Sequence, residues 1–118
     1  MGSTTGGCFC GDIRYEFAGE GYPIVNCHCS MCRKISGAPF VTWAVVPNSA
    51  FSYSSGTPAM LQSSDSGTRY FCDKCGTPVV CTNSKHPDIV DVTVGSLDNP
   101  EAFSPTMEIY EESRLPWV

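Results

Sequence analysis

The chain of 118 residues lacks the features that are typical of nucleic-acid-binding proteins and of membrane proteins. No apolar run approaches the length of about 20 residues that a spanning helix needs, and the first residues lack the pattern of a secretion signal. Lys and Arg total seven against twelve acidic residues, and the pI is near 4.7. Because no basic face is available for phosphates, we expect no nucleic-acid partner. Because the sequence shows neither an apolar span nor a secretion signal, we expect a cytoplasmic protein that does not bind a membrane.

Helical periodicity is also scarce. Charged residues make up 16% of the chain, eleven Gly and nine Pro interrupt it, and no segment repeats apolar residues over three helical turns. The best helical candidate is one turn at residues 31–36. Alternating or β-branched runs predict strands instead. They cover residues 10–18, 39–46, 50–53, 59–62, 69–72, 78–82, 89–94 and 107–110.

These patterns predict one mainly β domain over residues 8–118. The preceding residues 1–7, rich in Gly, Ser and Thr, predict a loose N-terminus.

Eight cysteines are the most informative feature of the composition. Seven of them fall in three tight groups, CFCG at residues 8–11, CHCSMC at 27–32 and CDKCG at 72–76. A reducing cytoplasm keeps unligated thiols reduced, and cysteines so close in sequence gain little from a disulfide because the closed loop is short. We therefore expect metal sites.

The CDKCG segment has the form of a metal knuckle. Cys72 and Cys75 can bind one ion from a tight turn, and Gly76 can adopt the positive φ that turns backbone N–H groups toward the sulfurs. Cys8 and Cys10 alternate on one side of an extended segment. Together these cysteines form a four-thiolate set from distant parts of the chain, which is typical of structural zinc.

The middle group leaves three thiols, Cys27, Cys29 and Cys32. Three protein ligands with an exchangeable fourth position are typical of catalytic zinc. The fourth position could be filled by water or substrate, by His28, by Cys81, or by a ligand from elsewhere. His28 lies between two candidate ligands, so its ring should project away from the metal, either as a hydrogen-bonded structural residue or as a base at the rim.

Two cations follow this group directly. Arg33 and Lys34 could bind an anionic group of a substrate, or could balance the charge of a metal held by three thiolates. Cys81, on a predicted strand, is expected to be a buried thiol more often than a ligand.

Four segments together resemble a known family, the glutathione-dependent formaldehyde-activating enzyme (GFA) family, which includes the GFA-like domain of centromere protein V. They are CFCGDIRYEF, CHCSMCRKISGAPF, RYFCDKCGT and the tail PTMEIYEESRLPWV. The match in order and spacing spans about residues 8–117. The chain lacks the N-terminal extension of the family's named enzymes, and Glu108 stands where the family often has His.

The resemblance implies a zinc-bound β-tent fold and two zinc ions per chain. The structural zinc would be bound by Cys8, Cys10, Cys72 and Cys75, and the second zinc, with an open position, by Cys27, Cys29 and Cys32. It also implies a carbon-sulfur lyase that reversibly joins glutathione and formaldehyde.

We therefore expect an enzyme that acts on a small thiol such as glutathione and an aldehyde. The catalytic residues would be the cysteines of the middle group and His28 as a proton carrier, while Arg33 and Lys34 would bind a carboxylate of the thiol. Two alternatives remain: a non-catalytic zinc-stabilised module for protein interaction, and a redox-sensing thiol cluster.

Overall fold

The protein, seen in a computed structural model that describes residues 3–118, consists of two β-sheets and one short α-helix, α1 (Ser30–Ser36). The strands in chain order are β1 (Ser3–Gly7), β2 (Arg14–Ala18), β3 (Ile24–Cys27), β4 (Val41–Pro47), β5 (Phe51–Ser55), β6 (Ala59–Gln62), β7 (Gly67–Phe71), β8 (Pro78–Asn83), β9 (Ile89–Thr93) and β10 (Met107–Ile109). The prediction of a mainly β fold with little helix is confirmed. Within the described residues, no helix is both long and apolar enough to cross a membrane.

The smaller sheet has the order β1-β2-β5, with antiparallel neighbours. In β2, Tyr15 and Phe17 are buried and Glu16 is exposed, as the alternation predicts. The prediction of a loose N-terminus is wrong for residues 3–7, which form β1; Met1 and Gly2 lie outside the described residues. The reason is steric, since a Cβ at Gly6 would overlap the Tyr15 hydroxyl, so the glycine lets β1 lie against β2.

The larger sheet has the order β10-β3-β4-β9-β8-β7-β6, antiparallel except for the parallel pair β10 and β3. The strand β3 was not predicted. It is four residues long and all four are buried, so it lacks the alternation that marks a half-exposed strand. Its last residue is Cys27, which places the middle cysteine group at the end of a central strand.

Side chains from both sheets form the main core. Its fully buried members are Ile13, Tyr15, Phe17, Ala44, Val46, Cys72, Val79 and Val92. A second, smaller core contains Val25, Cys27, Cys32 and Trp43. Because cysteines belong to both cores, each predicted metal site is packed into the hydrophobic interior on one side.

The helix α1 begins directly after Cys29, whose Sγ accepts a hydrogen bond from the Cys32 backbone N–H at 3.3 Å. It ends at Gly37, which adopts the left-handed conformation with φ of 69°. The predicted helical turn is therefore confirmed. The first turn of α1 contains Cys32 and is hydrogen-bonded to Cys29, so it forms part of the middle cysteine group.

Two candidate metal centres and the cleft between them

The first centre is the four-cysteine cluster of Cys8, Cys10, Cys72 and Cys75, whose sulfurs all lie within 4.8 Å of one another. The Cys10 Sγ is 3.6 Å from the Cys8 Sγ and 3.7 Å from the Cys72 Sγ. Thiolates on a tetrahedral ion with metal–sulfur bonds of about 2.3 Å lie about 3.8 Å apart, whereas a disulfide would need about 2.0 Å. The spacing therefore suits a tetrahedral metal ion.

Backbone amides support this cluster. Gly76 has a φ of 82°, as predicted, and its N–H donates to the Cys72 carbonyl at 2.8 Å. The Lys74 N–H points to the Cys72 Sγ at 3.4 Å, and the Ile13 N–H to the Cys8 Sγ at 3.2 Å. Such N–H groups stabilise thiolates without adding a formal charge.

The second centre is the three-cysteine cluster of Cys27, Cys29 and Cys32. Cys27 ends β3, Cys29 precedes α1 and Cys32 lies within α1, so a strand end and a helix start bring the sulfurs together. The Sγ atoms of Cys27 and Cys32 are 3.4 Å apart. Contact with the Cys27 thiol, helped by the guanidinium of Arg69, lowers the pKa of Cys32 to about 5, while the same thiol contact raises the pKa of Cys27.

The cluster offers three candidate ligands, since among residues 3–118 no other Cys, His, Asp or Glu joins the group. Cys81 packs against the same small core but lies outside the group, and its thiol faces the Thr82 carbonyl at 3.9 Å. Burial raises the pKa of the Cys81 thiol to about 11, which favours the neutral form. The sequence predicts that Cys81 is a buried thiol rather than a ligand; it lies outside the group, but it is only partly buried.

His28 is not part of this group, as its place between two candidate ligands predicts. Its ring is completely buried, and its Nε2 lies 2.7 Å from Oε1 of Glu108, while its Nδ1 has no partner. Asn26 donates to the other oxygen of Glu108 at 2.9 Å. The hydrogen bond with His28 lowers the pKa of Glu108. A carboxylate at residue 108 can accept from both neighbours, which explains how this chain accommodates Glu there.

Arg69 is the functional candidate that sequence reasoning missed. Only 8% of its surface is exposed, its Nη1 donates to the Cys32 Sγ at 3.4 Å, and its guanidinium lies 5.9 Å from the ring centre of Trp43. Burial is the largest single effect and lowers the pKa of Arg69, but the hydrogen bond with Cys32 and the charges of the nearby thiols together raise it. The sequence did offer one signal for Arg69: it is a charged residue within a predicted strand, three positions before Cys72.

A cleft of about 670 Å³ extends between the two centres. Cys32 of the three-cysteine cluster lines one part of it, and Gly76 and Thr77 beside the four-cysteine cluster line another. From α1 the cleft receives Cys32, Ile35 and Ser36, which share one helix face.

The predicted substrate-binding cations lie on other faces of α1. Arg33 and Lys34 are not in the lining of the cleft; Arg33 is half-buried and Lys34 is exposed. Both stand in the last turn, where cations interact favourably with the helix dipole. His28 is not in the lining either, so the cleft brings together Cys32 and Arg69 rather than the predicted cations.

Comparisons with known proteins agree with this architecture. A crystal structure of a Rhodobacter sphaeroides protein superposes with a TM-score of 0.71 at 22% identity, covering 88% of this chain and 98% of that one. A Halomonas elongata protein with the provisional name glutathione-dependent formaldehyde-activating enzyme is 22% identical over 122 residues, or 96% of this chain and 78% of the relative. The family model described as glutathione-dependent formaldehyde-activating enzyme (GFA) matches residues 3–113. The chain therefore belongs to the GFA family.

Proposed function

We propose that the protein is a zinc-dependent carbon-sulfur lyase that reversibly joins a small glutathione-like thiol to an aldehyde. The observation that carries the proposal is the three-cysteine cluster, to which the described chain supplies three ligands and whose Cys32 opens onto a cleft. Three protein ligands are typical of metal sites that exchange the fourth. Membership of the GFA family supports the same reaction.

Zinc is the ion that we assign to both centres. Donor sets made only of thiolates, with sulfurs spaced for a tetrahedron, suit Zn²⁺ among the common cellular metals. At the three-cysteine cluster, zinc would supply an open coordination position that favours the ionised form of a thiol. The eight unpaired cysteines fit a reducing compartment, and we place the protein in the cytoplasm.

The proposed reaction is an addition without net oxidation. The thiol sulfur attacks the aldehyde carbon, a C–S bond forms, the C=O bond becomes C–OH, and the thiol proton moves to the oxygen. Arg69 would fix the Cys32 sulfur and keep it ionised, because its guanidinium is buried against that sulfur. Lysis of the adduct reverses each step.

Roles for the sequence-predicted residues complete the proposal. His28 would relay a proton through Glu108, which bonds to its Nε2 and is itself half-exposed. Because His28 lies outside the lining of the cleft, we propose that it transfers a proton near the three-cysteine cluster and does not contact the substrate. Arg33 and Lys34 would bind carboxylates of a thiol that extend beyond the cleft.

A redox sensor is the second candidate, and the 3.4 Å separation of the Cys27 and Cys32 sulfurs favours it. If the cluster holds no metal, hydrogen peroxide could oxidise these two thiols to a disulfide and be reduced to water. The chain would then release two protons and two electrons, and a thiol reductant would reverse the change.

The test begins with metal content by elemental analysis and native mass spectrometry on protein purified without chelators or added zinc. The exchange rate between glutathione, formaldehyde and their adduct is then measured by NMR, with Cys29→Ser as the test variant and Cys81→Ser as its control. We expect two zinc ions per chain and an exchange rate that rises with protein concentration, falls to the uncatalysed rate in Cys29→Ser and persists in Cys81→Ser.

Other results would reject the lyase. Two zinc ions with no acceleration would indicate a non-catalytic module that interacts with a protein. One zinc ion together with a peroxide-dependent, reversible disulfide between Cys27 and Cys32 would indicate the sensor.

A further inference from the structure

The cleft beside Cys32 is much larger than formaldehyde requires. Its volume of about 670 Å³ lies within the range of pockets that enclose whole small organic molecules. Formaldehyde has a single carbon and no side group, so it would leave nearly all of this space to water.

The walls of the cleft are unsuited to ordered water. Apolar side chains of β4, β6 and β7 face it, among them Val41, Trp43, Leu61 and Phe71, and Phe40, directly before β4, adds a further apolar ring. Apolar surface that is kept in contact with water is unfavourable unless a ligand covers it.

Charge is nearly absent from the lining. Among the described residues, Arg69 is the only Arg, Lys, Asp or Glu that lines the cleft. Its Nη1 already donates to Cys32 and its Nε to the hydroxyl of Ser63 at 3.2 Å. Glutathione carries two carboxylates and an ammonium group, and burying unpaired charges is strongly unfavourable. The body of glutathione therefore does not suit this cleft.

We propose that the cleft binds the side group of the aldehyde, and that the preferred aldehyde carries an aliphatic or aromatic group of several carbons. The inference rests on the proposed lyase function, because it places the new C–S bond at the Cys32 end of the cleft. The thiol body then lies outside the cleft, and the apolar group extends through it toward Gly76 and Thr77. The bonds that form and break, and the proton that moves, are the same as in the proposed addition of a thiol to an aldehyde.

Binding can be tested separately from turnover with S-methyl-, S-butyl- and S-hexylglutathione, which carry the C–S bond of the adduct and cannot react. Titration calorimetry on the zinc-loaded full chain measures each dissociation constant. Full burial of one methylene corresponds to about a fourfold gain in affinity. We expect S-hexylglutathione to bind at least about tenfold more tightly than the S-methyl compound, even with partial burial.

Two neighbouring residues of β6 provide a matched pair of variants. Leu61 lines the cleft and is 48% exposed, whereas Met60 is 67% exposed and is not in the lining. Leu61→Glu should remove most of the dependence on chain length by introducing a charge at the wall. Met60→Glu should leave it intact. Because neither side chain belongs to the buried core, both variants should fold.

The outcomes separate this inference from the lyase proposal. Equal affinity for the three compounds would overturn the inference, even if the protein exchanges glutathione with formaldehyde. The same loss of chain-length dependence in both variants would also overturn it, because binding would then lie outside the cleft. Chain-length-dependent binding that only Leu61→Glu abolishes would support it. If hexanal and formaldehyde then both fail to react with glutathione above the uncatalysed rate, the lyase proposal fails while the apolar ligand class stands.

Discussion

The two cysteine clusters offer the same kind of ligand but differ in how far their members lie apart along the chain. In the four-cysteine cluster the neighbouring sulfurs of Cys10 and Cys72 are separated by 62 positions. In the three-cysteine cluster Cys27 and Cys32 are separated by five. A metal bound at the first cluster therefore closes a long loop and joins the segment after β1 to the end of β7, whereas a metal at the second closes only the junction of β3 and α1.

The surroundings of the two clusters also differ. The sulfurs of Cys8 and Cys72 accept hydrogen bonds from neutral backbone amides. Cys32 accepts one from the buried cation Arg69 and also lines the cleft. A site that does not hold distant strands together can exchange a ligand without loss of the fold. The comparison thus supports the proposal that a metal at the four-cysteine cluster stabilises the fold and that the three-cysteine cluster carries the chemistry.

The largest effect is expected from Cys10→Ser. Cys10 is exposed, so the substitution removes a metal ligand with little change in packing. Because binding at a long-range site contributes directly to folding, we expect the free energy of unfolding to fall by about 4 kcal/mol or more. Urea denaturation measures it.

Phe9→Ser is the matched control for Cys10→Ser. Phe9 is the adjacent residue and is 94% exposed, so its substitution should change stability by no more than about 0.5 kcal/mol. If Cys10→Ser behaves like Phe9→Ser, the four-cysteine cluster does not hold the fold together.

The next largest effect concerns Arg69→Met, which keeps much of the side-chain volume and removes the charge. The hydrogen bond to Cys32 disappears, and loss of such a partner typically lowers metal affinity by about 10- to 100-fold. Competition with a chelator of known affinity should show one weakened zinc site and one unchanged site. Lys85→Met, in the exposed turn between β8 and β9, should leave both unchanged. Equal weakening of both sites would mean that Arg69 acts on the fold rather than on Cys32.

Part of this comparison could be predicted from sequence alone. Local spacing separates a four-thiol set from a three-thiol set, and alternation identifies β2 with Tyr15 and Phe17 inward. Both signals are local: they depend on the turn after Cys72 and on the period of an extended chain.

The parts that could not be predicted depend on long-range contacts. Arg69 meets Cys32 across 37 positions, and the lining of the cleft combines residues of α1, β4, β6 and β7 that are far apart in the sequence. The strand β1 looked like a loose terminus because glycine content does not reveal the close approach of Gly6 to Tyr15. The strand β3 could not be recognised because all four of its residues are buried, so its sequence does not alternate.

A smaller effect on stability is expected to distinguish two substitutions of Cys29, one to Ser and one to Ala. Its Sγ accepts the N-terminal hydrogen bond of α1 at 3.3 Å, and Ser can replace it in that role while Ala cannot. Both variants should lose the zinc of the three-cysteine cluster and remain folded. Cys29→Ala should be less stable than Cys29→Ser by about 1 kcal/mol, measured by thermal denaturation of protein containing one zinc ion. Unfolding of both variants would contradict the separation of stability and chemistry.

The smallest effect tests whether an ion pair near the four-cysteine cluster adds to the role of the metal. Hydrogen bonds from Arg14 and from the hydroxyl of Thr5 lower the pKa of Asp98 to about 2. Because the pKa in the folded state is depressed, the stabilisation is present at neutral pH and is lost only as the pH falls below about 4 toward 2. The carboxylate is 46% exposed, so Asp98→Asn should lower the free energy of unfolding by less than about 1 kcal/mol.

The size and the pH dependence of the Asp98→Asn effect distinguish a surface ion pair from a group coupled to the metal. The difference in urea midpoint between Asp98→Asn and the native chain should stay constant from about pH 7 to pH 5, and 1 M salt should reduce it by screening. Asp65→Asn, in the turn between β6 and β7, serves as the control and should show a smaller difference. A loss of several kcal/mol in Asp98→Asn would mean that the ion pair, and not the metal alone, holds β1 in place.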